Sequence, residues 1–273
     1  MTITFGNKFL KVIILSAGEG KRLRPLTNEQ PKCLVNLFGK SLLQWQLQVF
    51  HNLGITDITI VKGYLGNKIN LPNMTYFQNL NYNTTNMVET LFCAREKLDG
   101  TVIVSYGDII FEQSVMKKLM SSDDDISVVI DKNWKSLWNA RFDNPENDAE
   151  SLLLNEDGFI TNIGQKIKNL DEIQGQYIGL MKFQNEGVQN LIDLYDSAKK
   201  NSSKGKNILN SNIPFEKSYM TDLIQGLINN NSRVASVPIS GGWLEVDSIN
   251  DYNLYQKKYT DNTISEFIDL DSN

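Results

Sequence analysis

Histidine is almost missing from this 273-residue chain, cysteine is scarce, and no apolar run is long. The one histidine, His51, falls in a stretch of helical pattern and is read as structural, so histidine-centred acid–base chemistry has no good candidate. Cys33 and Cys93 cannot build a disulfide framework, and their separation fits no zinc spacing. A reduced, cytoplasmic setting is therefore expected. Phe9–Ser16 is apolar but is interrupted by Lys11 and followed at once by a Gly/Lys/Arg turn, so no secretory leader is expected. Nothing approaches the roughly 20 apolar residues that cross a bilayer, so membrane insertion is not expected either. Basic charge is not in excess: 27 Lys and Arg face 32 Asp and Glu, a net charge of −5. Such a chain has no bulk attraction for nucleic acid, and an anionic ligand would need a local basic site. With 41% hydrophobic residues the chain is not a disordered one.

What is present is a strand–helix alternation. Phe9–Ser16, Asp57–Lys62, Thr101–Tyr106 and Ile126–Asp131 read as buried strands, β-branched and closed by turn residues. Ser41–Leu53 reads as a helix stopped by Gly54, and Asn86–Leu98 as another, with Asn86 and Glu89 in capping-box register. This spacing predicts a mostly parallel sheet covered on both faces. From Asp131 onward the pattern is less regular. Asn155–Gly158 is a turn between two short strands, Tyr177–Phe183 and Arg233–Val237 are strand-like, Asn201–Asn212 is a loop, and Tyr219–Ile228 is a helix. Gly241–Asp247 is a strand-like run ending on an acid, and the last dozen residues read as frayed.

The densest chemistry follows the first strand. Gly18 and Gly20 leave backbone N–H groups open to a phosphate chain, and Lys21, Arg22, Arg24 and Lys32 surround them with cations. A Walker loop is excluded because Arg22 follows Gly20-Lys21, and the dinucleotide fingerprint is excluded because Leu23 stands where its third glycine belongs. Asp108 and Asp247 each close a strand-like run, where an acid can hold Mg²⁺ beside phosphate oxygens.

The string Gly18-Glu19-Gly20-Lys21-Arg22-Leu23-Arg24-Pro25-Leu26-Thr27, with Pro31-Lys32, resembles the signature of the nucleotidyltransferases that activate sugar phosphates and phosphocholine. The resemblance runs from about Phe9 to Tyr259. It implies a single domain over residues 9–259 with flexible ends at 1–8 and 260–273. It also implies a three-layer α/β/α Rossmann-like fold with a mixed, mostly parallel central sheet. Ser16, Ala17, Gly18, Glu19, Gly20 and Lys21 would hold the nucleotide, Arg22 the departing pyrophosphate, and Lys32 the reacting phosphates. Asp108 and Asp247 would bind the metal.

The Tyr/Asn-rich stretch Asn79–Leu91 is similar to that of small cytidylyltransferases, which implies CTP as donor, with Tyr64, Asn86 and Thr90 as further nucleotide contacts. Residues 131–183 form the expected acceptor segment. There Trp134, Trp138, Arg141, Glu150, Lys166 and Tyr177 are the candidate readers. Two tryptophans could cage a quaternary amine. Arg141 with Glu150 better suits a zwitterion, and the segment resembles cytidylyltransferases of small phosphonates and phosphorylated amino acids. The expected partners are thus CTP and a small anionic acceptor, and a homodimer is left open. The alternatives are a sugar-1-phosphate nucleotidylyltransferase using UTP or dTTP, and a non-catalytic regulatory member. The second usually lacks one of the four residues Arg22, Lys32, Asp108 and Asp247, all present here.

Overall fold

The computed structural model describes residues 10–166 and 169–272. β1 (Leu10–Ser16) is the first expected strand, with Phe9 outside the described residues. Val12 and Ile14 point into one core cluster, Ile13 and Leu15 into another. A strand apolar on both faces must be covered on both. The short hairpin β2 (Asn36–Leu37) and β3 (Lys40–Ser41) leads into α1 (Leu42–Asn52). Ser41 and Gln44 close a complete capping box at its start, and Gly54, at φ +73°, follows its end in the left-handed conformation glycine accepts. His51 lies exposed in the last turn of this helix.

β4 (Asp57–Lys62) follows, and then β5 (Thr75–Gln78), which the sequence pattern does not announce. α2 covers only Met87–Phe92, shorter than the helix predicted over Asn86–Leu98. Asn86 does cap it, accepting from Met87 N–H, but the predicted capping box is not formed. Glu89 instead accepts from the Tyr195 hydroxyl at 2.7 Å and pairs with Lys199 at 3.3 Å. β6 (Thr101–Tyr106), β7 (Ile109–Phe111), α3 (Gln113–Met120), β8 (Ile126–Asp131) and α4 (Trp134–Arg141) come next. The turn at Asn155–Gly158 joins β9 (Leu152–Leu154) to β10 (Ile160–Ile163), as its residues require. After these come β11 (Gln176–Phe183), α5 (Glu186–Ser202), α6 (Met220–Asn229), β12 (Ala235–Ile239), β13 (Trp243–Glu245) and α7 (Ile249–Thr260).

The central sheet has seven strands in the order β12-β8-β11-β6-β1-β4-β5. All are parallel except β11, which runs against both neighbours. Helices α1, α3, α4 and α7 cover one face, and α2, α5 and α6 the other. The chain leaves β1 for β4 on one side and returns to β6 on the other. The strand order therefore reverses at β1, and a crevice opens beyond the carboxyl ends of β1 and β6. β13 lies outside this sheet and pairs antiparallel with β7, Glu245 opposite Ile109. The C-terminal stretch is not frayed as its acidic composition suggests: Ile264, Phe267 and Ile268 are buried in the core. Among the described residues no helix is long and apolar enough to cross a membrane.

Candidate active site

The crevice at the switch point holds a cavity of about 350 Å³, lined by the Ser16–Arg22 turn, Lys32, Asn86, Thr90, Asp108 and Asp247. Two glycines set its shape. A Cβ on Gly107 would sit 2.3 Å from Ser16 Oγ and 2.8 Å from the Leu15 carbonyl, so only glycine lets the β6 end approach β1 this closely. A Cβ on Gly18 would meet nothing within 4 Å, which leaves that backbone open to a ligand. Gly107→Ala is expected to destabilise the fold by about 1–3 kcal/mol, since backbone rather than a flexible side-chain tip must move. A denaturant titration showing an unchanged midpoint would contradict this packing.

The ladder between β7 and β13 brings the two acids together. Val246 N–H donates to the Asp108 carbonyl at 3.0 Å, so Asp108 and Asp247 emerge side by side although 139 positions separate them in the chain. Lys32 Nζ donates to Asp108 Oδ2 at 2.7 Å and to Asp247 Oδ1 at 2.6 Å. Its side chain is 12% exposed. Burial alone would lower the pKa of Lys32, but Asp108 and Asp247 outweigh it and hold the ammonium above its usual range. For Asp247 burial works upward, and Lys32 and then Arg22 overcome it, leaving the carboxyl below its usual range. Arg22, on the rim, pairs with the other Asp247 oxygen. Cys33 lies beneath, its thiol pushed up to about 12 by burial, and is no nucleophile.

This arrangement suits a divalent cation completed by a ligand. Two carboxylates converge on one cation, and Asp108 Oδ1 is buried without a hydrogen-bond partner, an acceptor free for a hard ion. Among the described residues no group of three or more His, Cys, Asp or Glu could bind a metal unaided. Phosphate oxygens would have to fill the remaining positions.

A second cavity of about 200 Å³ adjoins the first and shares Arg22, Met87, Tyr106 and Asp247 with it. Asp148, Glu150 and Glu245 face it, with Gln176, Tyr177, Tyr219 and Thr221. Glu150 is pushed up to about 7, first by burial among protein groups and then by Asp148 and Asp222. Burial raises the Tyr177 and Tyr106 phenols far enough that both stay neutral.

Several expected contacts are corrected. Arg141 does not line the second cavity: its side chain is 1% exposed, bound to Asp251 at 3.0 Å and Glu245 at 2.9 Å. Trp134 is core, meeting Trp138 edge to face at 5.9 Å, so the pair forms no open cage. Trp138 contributes only wall to the second cavity. Lys166 is exposed and outside the lining of both cavities. Tyr64 also lies outside them, and its hydroxyl donates to the Thr27 carbonyl at 3.1 Å, bracing the basic turn. Thr90 lines the first cavity, its hydroxyl donating to the Asn86 carbonyl at 3.1 Å.

The sequence pattern does not single out Tyr106, Gly107, Gln176, Tyr219 and Thr221, which lie at strand ends or a helix start facing the cavities, or Asp148, which lies in the connection between α4 and β9. Glu245 was visible as an acid two residues before Asp247, but its side was not.

Residues 11–130 match the profile of the nucleotidyl transferase family. The chain is 37% identical over 264 residues to a CTP:phosphoglutamine cytidylyltransferase of Campylobacter jejuni, an alignment covering 91% of this chain and all of that one. Among solved structures, a CTP:phosphocholine cytidylyltransferase from Streptococcus pneumoniae superimposes with a TM-score of 0.68 at 20% identity, over 92% of this chain and 99% of that one. An inositol-1-phosphate CTP transferase from T. maritima gives a TM-score of 0.68 at 22% identity, over 95% of this chain and 97% of that one. These two share the fold.

Proposed function

Because the chain belongs to the nucleotidyl transferase family, we propose that it moves a cytidylyl group from CTP to a small phosphorylated or phosphonate acceptor carrying an ammonium group. Pyrophosphate is the second product. The observation that carries this reading is Lys32 held between Asp108 and Asp247 in the first cavity, with Asp247 also lining the second.

An acceptor phosphate oxygen attacks the α-phosphorus of CTP, a new P–O bond forms, and the bond to the bridging oxygen of pyrophosphate breaks. A phosphate monoester has its second pKa near ~6, so the nucleophile is ionised at neutral pH and no side chain has to take its proton. The barrier is the meeting of two anions. Lys32 places a permanent cation between them, and Arg22 reaches the departing pyrophosphate from the rim. The Ser16–Arg22 turn offers backbone N–H groups to the phosphate chain. Asp108 and Asp247 would hold Mg²⁺, which when bound adds Lewis-acid stabilisation of charge on the phosphate oxygens.

The lining of the second cavity supports an ammonium-bearing acceptor. With Arg141 withdrawn, Arg22 is the one cation in its lining among the described residues, against Asp148, Glu150, Glu245 and Asp247. An acidic pocket beyond the reacting phosphate favours a distal ammonium, as in phosphoglutamine, phosphocholine or 2-aminoethylphosphonate, over a neutral sugar. Pyrophosphate release should be measured with CTP, UTP and dTTP against these three acceptors and two sugar 1-phosphates. CTP with an amine-bearing acceptor is expected to give the highest kcat/KM; preference for UTP or dTTP with a sugar phosphate would replace this reading.

Glu150 makes the pocket pH-sensitive. With its pKa near 7, it is largely protonated below and charged above, so affinity for an ammonium rises with pH. Acceptor kcat/KM is expected to climb between about pH 6 and 8, beyond the rise due to the phosphate near ~6. Glu150→Gln should shrink the upper inflection to the part left by Glu245, which burial also pushes up to about 7 in this cavity, and raise acceptor KM about tenfold while leaving the CTP KM alone. An unchanged profile would take Glu150 out of recognition.

A further inference from the structure

Asp247 is followed by a turn into α7, and that turn is held by a buried ion pair which the transfer reaction does not touch. Asp251 Oδ2 accepts the backbone N–H of Asp247 at 3.0 Å and of Ser248 at 2.8 Å. Arg141 reaches over from α4 and grips the same carboxylate, Nε to Oδ1 at 3.0 Å and Nη2 to Oδ2 at 3.3 Å. The same Nη2 lies 2.9 Å from Glu245 Oε2. One guanidinium thus ties α4 to β13 just before Asp247 and to α7 just after it.

A helix cap does not account for this. Ser248 already accepts from Asp251 N–H at 3.2 Å, and Asp251 returns the bond to Ser248 N–H, which completes the capping box. Neither an arginine nor a second acid is needed for it. Burying an arginine between two carboxylates is costly in desolvation and is often matched by apolar packing of equal volume. What the charged arrangement adds is direction. Asp251 is fixed by two hydrogen bonds from the fork and in turn fixes the Asp247 amide.

We propose that Arg141 and Asp251 are positioning residues, which set the orientation of the Asp247 carboxylate for the metal–nucleotide complex. The proposal rests on the reading of Asp247 as a metal ligand given above. Arg141 lines neither of the two cavities, so its effect passes through Asp251 to the Asp247 backbone. Glu245, on the cavity side, is held by the same guanidinium. Rings flank the guanidinium, Trp138 at 5.3 Å and Phe142 at 4.9 Å from centroid to Cζ, which fixes the plane of the fork.

The test compares the full-length wild type with Asp251→Asn and Arg141→Lys. Three quantities are read: hydrogen exchange at the Asp247 and Ser248 amides, Mn²⁺ affinity by electron paramagnetic resonance with CTP and no acceptor, and kcat and KM. Asp251→Asn keeps its shape but loses charge. It is expected to speed exchange at those two amides selectively and to weaken Mn²⁺ binding about 10- to 100-fold. It should lower kcat by a similar factor, with acceptor KM within about twofold of wild type. Arg141→Lys keeps the charge without the fork and should fall between. Should Asp251→Asn not fold, Arg141→Lys decides on the same three readouts. Unchanged exchange at the two amides, or wild-type Mn²⁺ affinity in a folded variant, overturns the proposal. A loss confined to acceptor KM also overturns it, returning Arg141 to the acceptor. If the wild type releases no pyrophosphate from CTP with any acceptor, the functional reading fails instead, and amide exchange still judges the positioning.

Discussion

Lys32→Ala is expected to reduce turnover about a thousandfold, equivalent to about 4 kcal/mol of lost transition-state stabilisation. The reason is specific to where Lys32 sits. In the proposed reaction it is the cation between two reacting anions and two acids, and alanine leaves only Arg22 on the rim to offset their repulsion. The variant should still fold, because the ion pair is worth about 1.5–3 kcal/mol and the core strands are untouched. Its stability curve carries a further signature. Asp247 titrates below its usual range in the folded protein, so its contribution is present above that range and lost as pH falls through the depressed value. Lys32 titrates above its usual range, so its contribution is present at neutral pH and lost only as pH rises through the raised value. The stability difference between wild type and variant is therefore a plateau around neutrality that closes toward acid. Near-wild-type kcat would remove Lys32 from the mechanism. A stability difference that grows toward acid would contradict the ion-pair assignment.

Asp108→Asn should be nearly as damaging, for a different reason. The amide is the same size and leaves Lys32 bound to Asp247, so the fold and the cavity persist. What is lost is one of the two anionic ligands proposed for Mg²⁺. Turnover at fixed Mg²⁺ is expected to fall about a thousandfold, and the Mg²⁺ concentration for half-maximal rate should rise. Part of the loss is recovered at high Mg²⁺, which separates a weakened site from a removed base. An unchanged metal dependence would place the ion elsewhere.

The halves of the site differ in how readable they were. The nucleotide half is local. Gly18 to Lys32 form one continuous stretch at a strand end, so residue types and spacing are enough to place cations around an open backbone. Asp108 stands just beyond the next strand of the same sheet edge, where the rule for parallel sheets puts ligand-binding groups. The acceptor half is built from long-range contacts. Nothing in the sequence says that β13 pairs with β7, and without that ladder Glu245 has no side and Arg141 no partner. An arginine among tryptophans reads as a ligand clamp or a buried ion pair equally well; Asp251, 110 residues away, decides it. Helices α5 and α7 and the packed tail went unread because their apolar residues are spread among charges. Ile264, Phe267 and Ile268 nonetheless keep the i, i+3, i+4 spacing of one buried face.

The measurement closest to the central claim is a crystal structure with CTP and Mg²⁺ bound. The triphosphate is expected against the Ser16–Arg22 turn, the ion in contact with Asp108 and Asp247, and Lys32 Nζ on a phosphate oxygen. A nucleotide seated away from the β1 and β6 ends, or an ion touching neither carboxylate, would contradict it.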